Sequence, residues 1–129
     1  MKKVLFLSAI FCLMAFFANA QSNLGAFGWS KTTHEFGKIT QGTPVTATFE
    51  FTNTGKSDLI ISNAKGSCGC TGTTFPKEPI APGKKATITA TFNAASPGAF
   101  HKTVTVTANT EEVNSILNIK GEVGATSQQ

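Results

Sequence analysis

Apolar and polar residues alternate along most of this chain, with the period of a β-strand and not of a helix. Residues 45–52 are the clearest case. Val45, Ala47, Phe49 and Phe51 fall on one face, and Thr46, Thr48, Glu50 and Thr52 on the other, as in a strand with one face buried. The pattern returns at 85–92, where Ala86, Ile88, Ala90 and Phe92 alternate with Lys85, Thr87, Thr89 and Thr91. It returns again from residue 100 to 109, with Val104, Val106 and Ala108 against His101, Thr103, Thr105, Thr107 and Asn109. Shorter runs at 29–36 and 117–123 read as further strands, and Leu59-Ile60-Ile61 opens another that leads into the cysteines at 68 and 70. Gln41-Gly42, Asn53-Thr54-Gly55-Lys56, Pro97-Gly98 and residues 109–112 supply turns. Pro76, Pro79 and Pro82-Gly83 mark a loop that cannot pair as a central strand. No window carries a helical period. Six or seven short strands at this spacing predict an all-β fold, an immunoglobulin-like antiparallel β-sandwich of about seven strands. Phe49, Phe51, Ile88, Phe92, Val104, Val106, Leu117 and Ile119 are its expected core, between two sheets packed face to face.

The first twenty residues break the pattern. Lys2 and Lys3 precede an apolar run from Val4 to Phe17, and Ala18-Asn19-Ala20 follows with small residues at both cleavage-determining positions. This is a signal peptide over residues 1–20, cut between Ala20 and Gln21. At fourteen residues the run is shorter than the roughly 20 that span a bilayer. Cys12 stands after bulky Phe11 in mid-run, not where a lipid-attachment cysteine belongs. The expected organisation is a flexible lead-in at 21–28, one sandwich domain at 29–123 and a flexible tail at 124–129. The expected location is periplasmic or secreted, with no membrane span after cleavage.

Composition narrows the function classes. The whole-chain charge of +4 includes Lys2 and Lys3, so the chain after cleavage has nine lysines against seven acids. There is no arginine, the usual reader of phosphate and base edges, and the lysines are scattered. A nucleic-acid partner is excluded on this reading. Lys84 and Lys85 read as a solvated rim that protects a strand edge from aggregation.

Candidate chemistry concentrates in Gly66-Ser67-Cys68-Gly69-Cys70-Thr71. Cys68 and Cys70 have three readings. They are two thiols or a local staple shaping a turn; a disulfide that, in so small a ring, is strained and easily reduced; or two thiolates for a soft ion such as copper(I). Their spacing is too close for the inter-sheet disulfide of antibody domains. Zinc would need about four ligands, and only His34, His101 and carboxylates are on offer; no resident metal or cofactor is expected. His34 and His101 read as solvated surface histidines. Asp58, the only aspartate, follows a turn, and no serine sits in a nucleophile elbow. No catalytic residue is assigned, and the chain is not expected to be an enzyme. Trp29, at the leading edge of the domain, either caps the sandwich core or stacks on a ligand.

Several fragments, in order, carry a family resemblance: His34-Glu35-Phe36-Gly37-Lys38-Ile39, Phe49-Glu50-Phe51-Thr52-Asn53-Thr54-Gly55, Ser67-Cys68-Gly69-Cys70-Thr71, Pro79-Ile80-Ala81-Pro82-Gly83, Gly98-Ala99-Phe100-His101-Lys102 and Ile119-Lys120-Gly121. Together they resemble the bacterial domain-of-unknown-function 1573 family, similar in fold to abnormal-spindle and major-sperm-protein domains. The resemblance covers about residues 29–123. It implies a β-sandwich exported to the cell envelope and supplies no catalytic residue. Two functional expectations follow. One is a non-enzymatic binding or scaffolding module that holds an envelope protein partner. The other is a thiol-redox or soft-metal protein acting through Cys68 and Cys70.

Overall fold

The computed structural model describes residues 24–125. The signal peptide with its Ala20-Gln21 junction, the first residues of the expected lead-in and the last four of the tail lie outside the described residues. The strands are β1 (Phe27–Trp29), β2 (Thr33–Thr40), β3 (Val45–Asn53), β4 (Ile61–Gly66), β5 (Thr71–Thr74), β6 (Lys85–Phe92), β7 (Gly98–Ala108) and β8 (Asn114–Gly124). They form two four-stranded sheets, in the orders β1-β3-β6-β5 and β2-β8-β7-β4. The all-β sandwich read from the alternation is what the chain adopts. All eight residues expected in the core are at most 5% exposed. Burial of side chains of this size contributes about 1.5–3 kcal/mol each, so the packed faces supply the main driving force for folding.

The expected single strand at 29–36 is two strands in different sheets. Ser30 N–H still donates to Glu50 C=O in the first sheet (3.0 Å), while Thr32 C=O already accepts from Asn118 N–H in the second (2.8 Å). The chain therefore changes sheets at Lys31. The cause is visible in the spacing: Trp29 faces the core from an odd position and His34 and Phe36 from even ones, so no continuous strand can bury all three. The lead-in expected over 21–28 belongs to the fold from Leu24 onward. Lys56 N–H donates to Leu24 C=O and Thr54 N–H to Ala26 C=O, and Phe27 and Gly28 pair with Asn53 and Thr52. Strand β2 runs parallel to β8, a departure from an all-antiparallel sandwich, with one extra residue inserted between Glu35 and Lys38. Gly37 lies there at φ +70°, and the bulge turns Ile39 back toward the core after Phe36. Finally, β4 begins at Ile61, not at 59; Leu59 instead pairs with Ile80 of the proline loop.

Two stretches of strand edge have no neighbour among the described residues. Beside β3, strand β1 pairs with Phe51, Thr52 and Asn53 and Ser30 N–H occupies Glu50 C=O, and β2 covers β8 only from Asn118 onward. The earlier parts of β3 and β8 are therefore open.

Candidate functional site

The cysteine stretch sits where the chain passes from β4 in the second sheet to β5 in the first. Two hydrogen bonds hold its start to β7: Ser67 N–H to Thr103 C=O at 2.8 Å, and Thr103 N–H to Ser67 Oγ at 3.2 Å. Its end is held by Asn93 N–H, which donates to Cys70 C=O at 3.0 Å. Gly66 is required here, because a Cβ at this position would lie 2.7 Å from Thr71 C=O. Cys68 and Cys70 are joined in a disulfide, with Cα atoms 5.2 Å apart, inside the range such bonds occupy. Both sulfurs lie 3.9 Å from the hydroxyl of buried Thr71. Both cysteines are half-buried, and Gly69 between them is exposed. Cys70 faces a depression of about 220 Å³ shared with Phe92, Phe100 and Lys102.

The bond closes a ring of only three residues, so it removes little freedom from the unfolded chain. By the chain-entropy relation it is worth at most about 2 kcal/mol. The variant Cys68→Ser/Cys70→Ser should fold and lose no more than that in urea unfolding. The sandwich rests on packing.

The other chemistry-bearing side chains do not join the cysteines. His34 pairs in register with core-facing Ile119 and His101 with exposed Lys120, so the two histidines occupy opposite faces of the second sheet. His101 Nε2 lies 2.9 Å from Asn118 Oδ1. Asp58 is exposed, with its backbone C=O accepting from Asn109 Nδ2. Lys85 forms a loose, exposed ion pair with Glu50 at 3.8 Å, an arrangement worth little. Among the described residues no three His, Cys, Asp or Glu side chains gather as metal ligands.

Partial burial of His34 holds its pKa below the ordinary 6.5, and the adjacent Lys31 ammonium lowers it further. Lys31 Nζ donates to Nδ1 at 2.7 Å, which requires the neutral ring. Between the lowered and the ordinary value the unfolded chain binds more protons than the folded one, so stability rises with pH there. This contribution is complete above 6.5 and lost as the pH falls through the lowered value. A modest slope of Tm against pH in that window, absent in His34→Gln, is the expected result.

A second site, which the pattern of the sequence did not disclose, lies at the opposite edge of the sandwich. Phe27 and Trp29 stack with ring centroids 4.5 Å apart, and both meet Phe51 edge-on, at 4.9 Å and 5.2 Å. Trp29 thus caps the core and also forms, with Phe27, one wall of a depression of about 480 Å³. Ser115, Glu111 and Glu112 form the other wall, and Lys56 stands on the rim. The isolated bridge between Gly25 and Thr110 closes one end. Asn53 fixes the aromatic wall. Its Oδ1 accepts from Ala26 N–H (3.2 Å) and Gly55 N–H (2.9 Å), and its Nδ2 donates to Ser57 C=O and Ile80 C=O, both at 2.8 Å. The only signal for this site in the sequence is Phe27 two residues before Trp29, which places both rings on one face of a strand.

A family model described as "Protein of unknown function (DUF1573)" matches residues 27–123. No curated protein matches the sequence. Among solved structures, the chain is similar to a protein of unknown function from Porphyromonas gingivalis W83 (TM-score 0.70, 16% identity). That similarity covers 82% of this chain and 50% of the other, so this chain spans about half its length. It is also similar to the ASH / PapD-like domain of human CEP192 (TM-score 0.63, 10% identity), covering 81% of this chain and 89% of that one. A third similarity is to the secreted serine protease VesC from Vibrio cholerae (TM-score 0.58, 12% identity), over 80% of this chain but 24% of the protease. At these identities the solved structures show a shared fold.

Proposed function

The chain belongs to the DUF1573 family of proteins of unknown function, and from that premise we propose that it is an exported, non-enzymatic binding module of the bacterial cell envelope that holds a protein partner. One observation carries this reading. The side chains able to do chemistry are dispersed, while both sheets present unpaired edge, that of β8 beside a largely apolar depression. Open edges bind extended chain through main-chain hydrogen bonds, and a rigid sandwich presents them without needing a reactive group. The residues preceding the domain support export, through the Lys-rich start, apolar run and Ala18-Asn19-Ala20.

The test is site-specific crosslinking in intact cells with the full chain. A photoreactive residue at exposed positions of β3 or β8 should capture an envelope protein. The Cys68→Ser/Cys70→Ser variant should capture the same one. A chain found in the cytoplasm, or capture lost with the two thiols while the fold persists, would overturn the reading.

The Cys68–Cys70 disulfide supports a second reading, thiol–disulfide exchange. A partner's thiolate would attack one sulfur, and its second thiol would resolve the mixed disulfide. The pair would end as two thiols and the partner as a disulfide. A soft metal would need that reduction first. Equilibration with a glutathione redox series, followed by alkylation and mass measurement, decides it: a pair that stays oxidised throughout ends the exchange reading.

A further inference from the structure

We propose that this module binds a short, extended, basic polypeptide segment as an added strand on the open edge of β8, with one apolar side chain of the segment seated between the sheets against Phe27 and Trp29. The inference rests on the binding-module reading and names its surface and its ligand.

The edge supplies the backbone bonds. Asn118 N–H points to β2, since it donates to Thr32 C=O. Backbone groups of a strand point alternately to either side, and the β7–β8 register runs without a break through these residues. The N–H and C=O of Ile116 and Asn114 therefore face the same side, where β2 has not yet begun. An added strand would lie in line with β2 and end where the chain changes sheets, which limits it to about four residues at ~3.3 Å each.

The depression supplies the side-chain site. Alternate residues of an added strand point inward and outward. Inward lies the space between Ser115 and the stacked rings of Phe27 and Trp29, about 480 Å³, large enough for a leucine or phenylalanine side chain. Outward lies Ile116, which is 49% exposed beside its unpaired edge, with Val113 at 56% in the adjoining hairpin. These are two of the three large exposed apolar side chains among the described residues. Exposed β-branched residues at an open edge are what an incoming strand would cover.

The rim supplies the charge preference. Glu111 and Glu112 line the depression on the hairpin side, and both are exposed. Thr110 Oγ1 donates to Glu112 C=O and fixes that hairpin. Lys56 stands on the facing turn, so the acids outnumber the cation where β8 starts, and a lysine or arginine beside the apolar anchor is complementary there.

Trp29 is the only tryptophan and tyrosine is absent, so intrinsic emission reports on this wall alone. The probe is a capped Lys-Thr-Leu-Thr-Val-Lys peptide titrated into the mature chain, with Glu-Thr-Leu-Thr-Val-Glu as its counterpart. The basic peptide should change Trp29 emission saturably. The acidic peptide, and the basic peptide on Glu111→Lys/Glu112→Lys, should bind at least tenfold more weakly. Ile116→Pro removes only an N–H that faces off the sheet, a position where proline is tolerated, and should also weaken binding at least tenfold. Ser115→Leu fills the inner site without touching the backbone and should do the same if the proline variant does not fold. No emission change at millimolar peptide, equal binding of the two peptides, or unchanged binding in Ile116→Pro or Ser115→Leu would each overturn the proposal. So would emission that shifts with protein concentration alone, which would make a second copy the occupant. Crosslinking in cells separates the two readings. Capture that persists in Ile116→Pro and Ser115→Leu discards this surface but keeps the module. No capture by the unmodified chain at β3 or β8 removes the module itself.

Discussion

Asn53→Ala is expected to cost about 3–5 kcal/mol of stability, an effect larger than loss of the disulfide. Asn53 is 1% exposed, and its amide makes four hydrogen bonds to backbone groups of three separate segments. Alanine removes the partner of Ala26 N–H, Gly55 N–H and Ser57 C=O, while Ile80 C=O keeps Leu59 N–H, and a buried unsatisfied group costs about 1–3 kcal/mol. Some of them will recover water as the turn loosens, which keeps the total below the simple sum. The loss should shift Tm by well over 10 °C in a domain of this size, at about 4–8 °C per kcal/mol. Asn53→Asp is the sharper variant. It keeps the size and the acceptor oxygen but loses the Nδ2 donors to Ser57 C=O and Ile80 C=O, setting a second carboxylate oxygen against carbonyls. It should be at least as destabilising as alanine near neutral pH and should recover part of the loss in acid, where the carboxyl is protonated and can donate. A stability within 1 kcal/mol of the parent in either variant, measured by urea unfolding, would show that the amide does not hold the turn.

Asn53 also marks the boundary of what the sequence discloses. Alternation found β3, β6, β7 and most of β8 because each has one buried and one solvated face, and burial is what the period-two pattern records. The same pattern identified Phe49, Phe51, Ile88, Phe92, Val104, Val106, Leu117 and Ile119 as the core. It missed β5, since Thr71-Gly72-Thr73-Thr74 has no apolar residue to alternate. It merges β1 with β2, because the change of phase between Trp29 and His34 that marks the change of sheet lies inside one short run. Asn53-Thr54-Gly55-Lys56 reads correctly as a turn. That its asparagine is buried and ties three segments together depends on Ala26 and Ile80, distant in sequence, and no local pattern reports that. The cysteine site was fully legible as residues and not as a state. By spacing Cys68 and Cys70 read first as a structural pair, thiols or local staple, and less readily as a redox or metal pair, and the structure joins them in a disulfide. The aromatic depression was hidden for a topological reason. It exists because β1 stops at Trp29 and β2 starts at Thr33, and a gap between strands has no residues of its own.

The same gap ties core stability to the binding surface, which makes Phe51 the most informative core position to change. Its ring is fully buried and is the surface on which both Phe27 and Trp29 rest edge-on. Phe51→Ala should cost about 3–5 kcal/mol through lost burial and the cavity left behind. Phe49→Ala, two residues earlier on the same face and equally buried, should cost a similar amount. The two differ in what they do to Trp29. Phe49 pairs with Ile88 on β6, whereas Phe51 pairs with Trp29 itself. Only the Phe51 change removes the support of the aromatic wall, so only it should shift Trp29 emission in the folded state and alter peptide binding. A loss of this size is a large part of the 5–15 kcal/mol that holds a typical domain. Phe51→Leu therefore provides the folded comparison, with a smaller destabilisation and a measurable emission change. If Phe49→Leu and Phe51→Leu perturb Trp29 emission alike, the wall is held by the sandwich as a whole. If Phe51→Leu alone does so, a single core ring sets the shape of the surface at which β8 is open.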